Sequence, residues 1–389
     1  MADAALTARS DLGLTDEQRD FVRAIRDFCA RELPAERLRE LTNDYEDMHS
    51  DAIARQMAEL GWYGLTIDER YGGSGGTFLD AVLFLEETSR GRAPLGAYAV
   101  TLIVVGALNR FGSEEQKRDL LGRVARGGGL AIAMSEPDAG SDVASLKTRA
   151  RRDGDDWVLS GAKMWCSYAH KASHILIVCR TAETNGRPHE GMSMILVPSD
   201  ADGLTLTPIP TLGGQETNEI HLDDVRVPAS ALLGTEGGGW TQLMAGLNNE
   251  RVILGASALG LAQRAFDDAL AYAKERRQFG RPIGSFQAIQ HKFADMATDL
   301  AQARLLVRWV ARLTDEDPHR MLPQEASMAK LAATELAKRC TLEGVQIMGG
   351  YGYASEYPME RYLRAAVVTT IYGGTSEIQR NIVAKTLGL

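Results

Sequence analysis

Glu250 stands on a stretch whose helical spacing could suit it to acid–base chemistry. On a helix, Leu243, Leu247, Glu250, Leu254 and Ser257 recur at spacings of three and four, so Glu250 falls in a mostly apolar stripe. A carboxylate there is desolvated, which raises its pKa toward the range of a general base. The alternative is a first-turn glutamate favoured by the helix dipole and facing water. Arg276 carries a fork suited to phosphate, or else is a basic residue at a helix C-terminus. Trp165, taken alone, is a core residue of a β domain. The Ser-, Gly- and Asp-rich stretch Ala131–Asp142 is, taken alone, a polar turn. The glycine cluster Tyr71–Gly76 lacks the lysine or the GxGxxG spacing of a phosphate loop, so it reads as a turn between helices.

The elements that must position these residues follow from periodicity. Residues 15 to about 125 read as helices, opened by a capping box at Thr15 and Gln18 and a face of Phe21, Val22, Ile25 and Phe28. Helices are expected at 78–88, 95–110 and 114–126, with Leu102, Val105 and Leu108 in the core. From about Leu130 the pattern turns to short apolar or alternating runs at 157–159, 175–179, 192–197, 204–207 and 219–227. Turn signals separate them, including Asp153-Gly154-Asp155 and Asn185-Gly186-Arg187-Pro188. The helical period returns over 241–276, 285–313 and 324–348, with a break at Asp315–Pro318.

Composition bounds the function. The chain of 389 residues is long enough for two or three domains, and its formal charge of −9 argues against a phosphate-backbone partner. Nucleic acid is therefore not an expected ligand. Cys29, Cys166, Cys179 and Cys340 show neither metal-type spacing nor a dense disulfide pattern, which suits reduced thiols in a cytoplasmic protein; no metal is expected. The first fifteen residues, with Asp3, Arg9 and Asp11, lack the apolar core of a signal peptide. No apolar run is long enough to span a membrane.

Taken with their order along the chain, six motifs make the sequence similar to the acyl-CoA dehydrogenase family over nearly its whole length. They are AIAMSEPDAGSD at 131–142, KMWCS at 163–167, LNNERVILGASALGLAQ at 247–263, ERRQFGRPIGSFQ at 275–287, QIMGGYGYASEYPMER at 346–361 and IYGGTSEIQR at 371–380. The resemblance implies an α+β, mainly α fold: an N-terminal helical domain (1–127), a central β-barrel domain (128–235) and a C-terminal four-helix bundle domain (236–389). Family members usually carry a glutamate base where this chain has Gly373. The 247–263 segment resembles the helix on which the long-chain and isovaleryl-CoA members carry it, so Glu250 is the expected base, with the Gly373 N–H bonding the thioester carbonyl.

The resemblance further implies FAD as cofactor. Met134 and Ser135 would meet the flavin ring, Ser135 at its pyrimidine edge. Trp165 would pack on the isoalloxazine with Cys166 a bystander, and Ser167 would put a hydroxyl near flavin N5. Arg276, Phe279 and Gln287 would reach the diphosphate and adenosine of a neighbouring subunit's cofactor, with Gln346, Gly349 and Gly350 at the same diphosphate. Thr375, Ser376 and Glu377 would complete the adenosine side. Ser141, Leu247, Arg251, Tyr372, Gly373 and Gly374 would line the substrate path. The implied reaction is α,β-dehydrogenation of an acyl-CoA to the trans-2-enoyl thioester, with electron-transferring flavoprotein as acceptor and a homotetramer as assembly. Alternatives on the same fold are dehydrogenation of an acyl chain on a carrier protein, a flavin-binding relative without activity, an oxidase using dioxygen and a DNA-associated relative. At the start of the 95–110 helix, Gly96, Ala97 and Ala99 either leave room for medium, long or branched acyl groups or let the helix pack closely.

Overall fold

The computed structural model of the chain describes residues 13–389 except 45, 184 and 185. Asp3, Arg9 and Asp11 of the leading stretch, and Asn185 of the expected turn, lie outside the described residues. In chain order come helices α1 (Asp16–Glu32), α2 (Ala35–Leu41), α3 (Asp51–Glu59), α4 (Phe78–Arg90) and α5 (Gly96–Phe111). Strands β1 (Gly129–Ala133), β2 (Arg149–Asp153), β3 (Asp156–Ser167), β4 (Ala172–Arg180), β5 (Met192–Pro198), β6 (Leu204–Thr211), β7 (Gly214–Pro228) and β8 (Leu232–Leu233) follow. Next are the long helix α6 (Gly239–Glu275), a small hairpin of β9 (Arg277–Gln278) and β10 (Arg281–Pro282), and helices α7 (Gln287–Glu316), α8 (Pro323–Met348), α9 (Met359–Thr369) and α10 (Ser376–Thr386). The chain divides into two compact units: Met1–Leu38, Phe78–Ala93 and Glu250–Leu389 form a helical unit, and Arg39–Thr77 with Pro94–Asn249 form a unit built on the sheet.

In the helical unit, α8 packs against α7, α9 and α10, while α4 packs against α1 and α7. The capping box at the start of α1 is formed, with the Thr15 hydroxyl accepting from Gln18 N–H and the Gln18 side chain accepting from Thr15 N–H. Small residues on α6 permit close approach: a Cβ on Gly260 would lie 2.1 Å from the Glu86 carbonyl oxygen of α4. Below that contact, Arg304 and Arg308 of α7 both bond the buried Glu86 carboxylate, at 2.7 and 3.0 Å. Although burial raises the Glu86 pKa, the two guanidinium groups hold it down at about 2.

The sheet unit has eight strands in the order β6-β7-β3-β2-β4-β5-β8, with β1 paired in parallel to β4. Inward residues of β1, β3, β4, β5 and β7 share one core around the fully buried Trp157, including Ile175, Ile195, Ile220 and Val225, so the sheet curls about a single interior. Leu102, Val105 and Leu108 of α5 are buried as expected. The Tyr71–Gly76 cluster is a turn: a single 3-10 turn ends at Gly72 with φ +86°.

Two expectations are corrected. The helix expected at 114–126 is broken by a π-turn at Lys117–Leu121, which has no hydrophobic period of its own and so is invisible to pattern reading. β1 and β2 were not anticipated as strands. β1 lies inside a stretch that the motif made look like loop, and β2 buries only Ala150 of its five residues, leaving no alternation to detect. The expected break at 315–318 is present, since α7 ends at Glu316; in addition, the Asp315 carboxylate accepts from the N–H groups of Phe78 and Leu79 at 2.7 and 3.0 Å, capping α4.

Candidate active site

Within the helical unit, Glu250 sits on α6 with only 5% of its surface exposed. The stripe around it behaves as the spacing predicts: Leu243 and Leu254 are buried, and Leu247 and Ser257 are half-buried. The water-facing alternative is therefore out. Among the described residues its Oε2 has no hydrogen-bond partner. Burial pushes the carboxyl up to about 7, while the charges of Arg251 and Lys330 pull it down. Arg251 is buried too, and burial lowers its pKa against the opposing pull of Glu250.

The turn between α9 and α10 lies directly against this carboxylate. Gly373 and Gly374 have φ of +59° and +81°, in the left-handed region that side chains avoid. A Cβ on Gly373 would stand 2.3 Å from Leu254 Cδ1 and 3.4 Å from Glu250 Oε1. Glu250 and Gly373 are thus immediate neighbours.

Two side chains that sequence reading passed over hold the turn. Gln379 Nε2 donates to the carbonyls of Gly373 and Gly374 at 3.0 and 2.9 Å, and Lys330 Nζ donates to that of Gly374 at 2.9 Å. Both residues are fully buried. Among the described residues the Gly373 N–H reaches no protein acceptor, so the turn offers a donor beside the carboxylate. Lys330 did leave a signal, being a cation in a run of small buried residues, with Ala326, Ala333, Thr334 and Ala337 at helical spacing on α8.

Farther along the same unit, Arg276, Gly349 and Gly350 line one cleft of about 510 Å³ together with Tyr272 and Tyr351. The Arg276 guanidinium lies 5.4 Å from the centre of the Tyr351 ring. Gly349 has φ +61°, and a Cβ there would meet nothing, so the backbone is open to a ligand. Gln346 and Gln287 are exposed, and Phe279, at the tip of the β9–β10 hairpin, is 94% exposed. Thr375 serves as N-cap of α10, accepting from Ile378 N–H; Ser376 is buried and Glu377 exposed. Tyr372 is half-buried, and its ring lies 6.0 Å from Lys330 Nζ.

In the sheet unit, β3 fastens β1 and the loop after it at four points. The Cys166 thiol donates to Ile132 O, Met164 N–H to Ser135 O, and Lys163 Nζ to both Met134 O and the Glu136 carboxylate, at 2.8 Å in the last case. Glu136 in turn accepts from the N–H groups of Lys147 and Thr148. Burial raises the Glu136 pKa, but the Lys163 charge and these bonds bring it below the ordinary carboxylate range. Cys166 is buried, which pushes its thiol up to about 12 and keeps it protonated.

The ladder between β3 and β7 slips between Lys163 and Cys166, and Trp165 there has φ +61°. That bulge turns Trp165 outward to 55% exposure, so it is not a core residue. Ser167, two residues on, and Ser135, whose carbonyl accepts from Met164 N–H, are half-buried, and Ser141 is exposed. At the start of α5, a Cβ on Gly96 would lie 2.0 Å from the Tyr168 hydroxyl, so of the two readings of that glycine the close-packing one applies.

Family profiles cover these elements: the acyl-CoA dehydrogenase N-terminal domain matches residues 15–128, the middle domain 131–225 and the C-terminal domain 237–388. The chain belongs to the acyl-CoA dehydrogenase family. It has that family's three-domain architecture and is an enzyme of that oxidoreductase class. It is 40% identical to "Probable acyl-CoA dehydrogenase YngJ" of Bacillus subtilis, over 96% of this chain and 98% of that one. It is also 40% identical to the short-chain specific acyl-CoA dehydrogenase of Bos taurus mitochondria, covering 88% and 83%. Among solved structures, butyryl-CoA dehydrogenase from Megasphaera elsdenii superposes with a TM-score of 0.89 at 32% identity, covering 97% of this chain and all of that one. The family is FAD-dependent. Among the described residues no helix is long and apolar enough to cross a membrane.

Proposed function

We propose that this acyl-CoA dehydrogenase removes the α-proton of an acyl-CoA with Glu250 and yields the trans-2-enoyl thioester. The observation that carries the reading is the buried Glu250 carboxyl, with a free Oε2 and a pKa of about 7, set against the Gly373 turn. A carboxylate of that basicity, stripped of water, is matched to proton abstraction near neutral pH. The Gly373 N–H donates to the thioester carbonyl and stabilises the charge that develops as the α-proton leaves. Gly373 leaves Glu250 and substrate the space that a side chain there would take, and Arg251 and Leu247 bound the base along α6.

The residues present suit FAD. The outward Trp165 offers an aromatic face for the isoalloxazine, with Ser167 two residues on in β3 and Met134 and Ser135 in the loop that Lys163 and Met164 fasten. The cleft with an exposed guanidinium, tyrosine rings and open glycine backbone suits a diphosphate and adenosine, held by Arg276, Gly349 and Gly350, with the exposed Gln346 next to the lining residue Ile347 in sequence. When bound, FAD supplies the acceptor for the hydride that leaves the β-carbon. The bare Phe279, with Gln287, is proposed to reach a neighbouring subunit's cofactor in a homotetramer, and electron-transferring flavoprotein is the proposed acceptor partner. We place the enzyme in the cytoplasm and in lipid metabolism, with domain boundaries at 127/128 and 235/236.

The test is Glu250→Gln, which keeps size and hydrogen bonding without the basicity. With a panel of saturated acyl-CoAs from butyryl to palmitoyl and an artificial acceptor, turnover should fall by roughly three orders of magnitude while FAD stays bound. Near wild-type turnover in that variant refutes the assignment. In the wild type, kcat/KM should rise with pH through an inflection near 7, because only the ionised carboxyl accepts the proton.

A further inference from the structure

Lys330 is fully buried on α8, yet no carboxylate lies within ion-pairing distance of its ammonium among the described residues. Its one hydrogen bond goes to the carbonyl of Gly374. A buried ammonium bound only to a neutral acceptor is costly, and it persists where the surrounding structure uses it. The Gly374 carbonyl already accepts from Gln379, so a second donor is not needed for satisfaction. What Lys330 adds is a positive charge at the back of a turn whose front faces Glu250. The charged groups around it are Glu250 and Arg251 on α6, Glu335 on its own helix and Glu377 on α10; those around Glu250 are Arg251 and Lys330.

We propose that Lys330 is a positioning residue of the thioester site, anchoring the Gly373–Gly374 turn from behind so that the Gly373 N–H stays beside the base, and favouring ionised Glu250 by its charge. This rests on the reading of Glu250 as base. Burial draws the Lys330 pKa down to about 8, with Glu250 opposing, so the lysine is still mostly charged where Glu250 ionises. The two groups therefore share a working range, between about 7 and about 8, in which the carboxylate is ready and the cation still present.

Three holoenzyme variants test it. Lys330→Met removes charge and donor, Lys330→Gln keeps a donor without charge, and Lys330→Arg keeps both. The direct readout is the protonation of Glu250, taken from the infrared carboxyl band that disappears in a Glu250→Gln background. Its midpoint should move up by about half a pH unit or more in Lys330→Met and Lys330→Gln, and return in Lys330→Arg. The acid limb of kcat/KM should move with it. In Lys330→Met, kcat should fall about tenfold or more while KM changes less than about threefold, since a displaced turn costs the transition state most. Lys330→Gln should lose less kcat than Lys330→Met. An unmoved midpoint in Lys330→Gln, or wild-type kcat in Lys330→Met, overturns the proposal; should Lys330→Met not fold, the Lys330→Gln midpoint decides. Because the infrared band reports on Glu250 directly, an active Glu250→Gln variant would sink the base reading while leaving the electrostatic part of this inference measurable.

Discussion

Lys163 in the sheet unit and Lys330 in the helical unit are both stripped of water, both bond a loop carbonyl within their own unit, and differ in what faces them. Lys163 meets Glu136 at 2.8 Å, and Glu136 is itself tied to two backbone N–H groups, so the charge is neutralised on the spot and the loop after β1 is locked. Lys330 has no such bonded partner among the described residues; of the carboxyls that act on it at a distance the strongest is Glu250, whose Oε2 has no hydrogen-bond partner. A directly bonded pair spends its electrostatics on holding structure, because neither member can change charge without stranding the other. A cation and a carboxyl kept apart leave the carboxyl free to change its protonation. The first arrangement builds a platform; the second leaves a carboxyl able to titrate, as the proposed base must be.

That contrast is broken most severely at the platform. Lys163→Met should destabilise the protein by about 3–5 kcal/mol in urea unfolding, since it leaves Glu136 buried without its counter-ion. Adding Glu136→Gln should recover part of the loss. Lys330→Met should cost only about 1 kcal/mol, because the Gly374 carbonyl keeps its bond from Gln379. Equal costs at the two lysines would erase the distinction.

Removing the acid–base carboxyl should do the opposite of removing a platform residue. The folded pKa of Glu250, at about 7, lies above the ordinary value of 4.5, so the folded state holds its proton more tightly than the unfolded chain. Stability is therefore lost as pH rises from about 4.5 to about 7, and the full penalty, about 3 kcal/mol, applies above that. Glu250→Gln should accordingly raise the melting temperature of the inactive enzyme at pH 8, with a gain that shrinks steadily toward pH 5. A gain independent of pH would mean that Glu250 is not desolvated in solution.

The smallest effect concerns the turn between them. Gly373→Ala should cost about 1–2 kcal/mol for its left-handed φ and lower kcat, as the new Cβ displaces Leu254 and crowds Glu250. Gly373→Glu carries the same backbone cost and adds a second negative charge, so it should be slower than wild type. Relieving the contact with Leu254→Ala should restore activity in part to the Gly373→Ala variant, as coupled neighbours do.

Much of this was legible in the chain. The alternation of helical, strand and helical periods marked three segments, because burial of one face leaves a period of 3.6 or 2 whatever the fold around it. The stripe from Leu243 to Ser257 marked Glu250 as desolvated, and the motif order, with Gly373 where the family usually has its base, tied Glu250 to that turn. Residues without a period escaped: the π-turn at Lys117–Leu121, the exposed strand β2, and Asp315, whose role as a cap depends on Phe78 and Leu79, far away in the chain.

The tertiary structure alone decided what each polar side chain bonds. From sequence, Trp165 could be core, and only the bulge in β3 turns it outward. Gly96 could leave a pocket or a packing contact, and the Tyr168 ring, brought in from another element, takes the space. Lys163 and Lys330 are identical as letters in apolar surroundings. Whether a buried cation anchors a loop or tunes a base depends on which carboxylate the fold sets within bonding distance, and that is a long-range property no local pattern records.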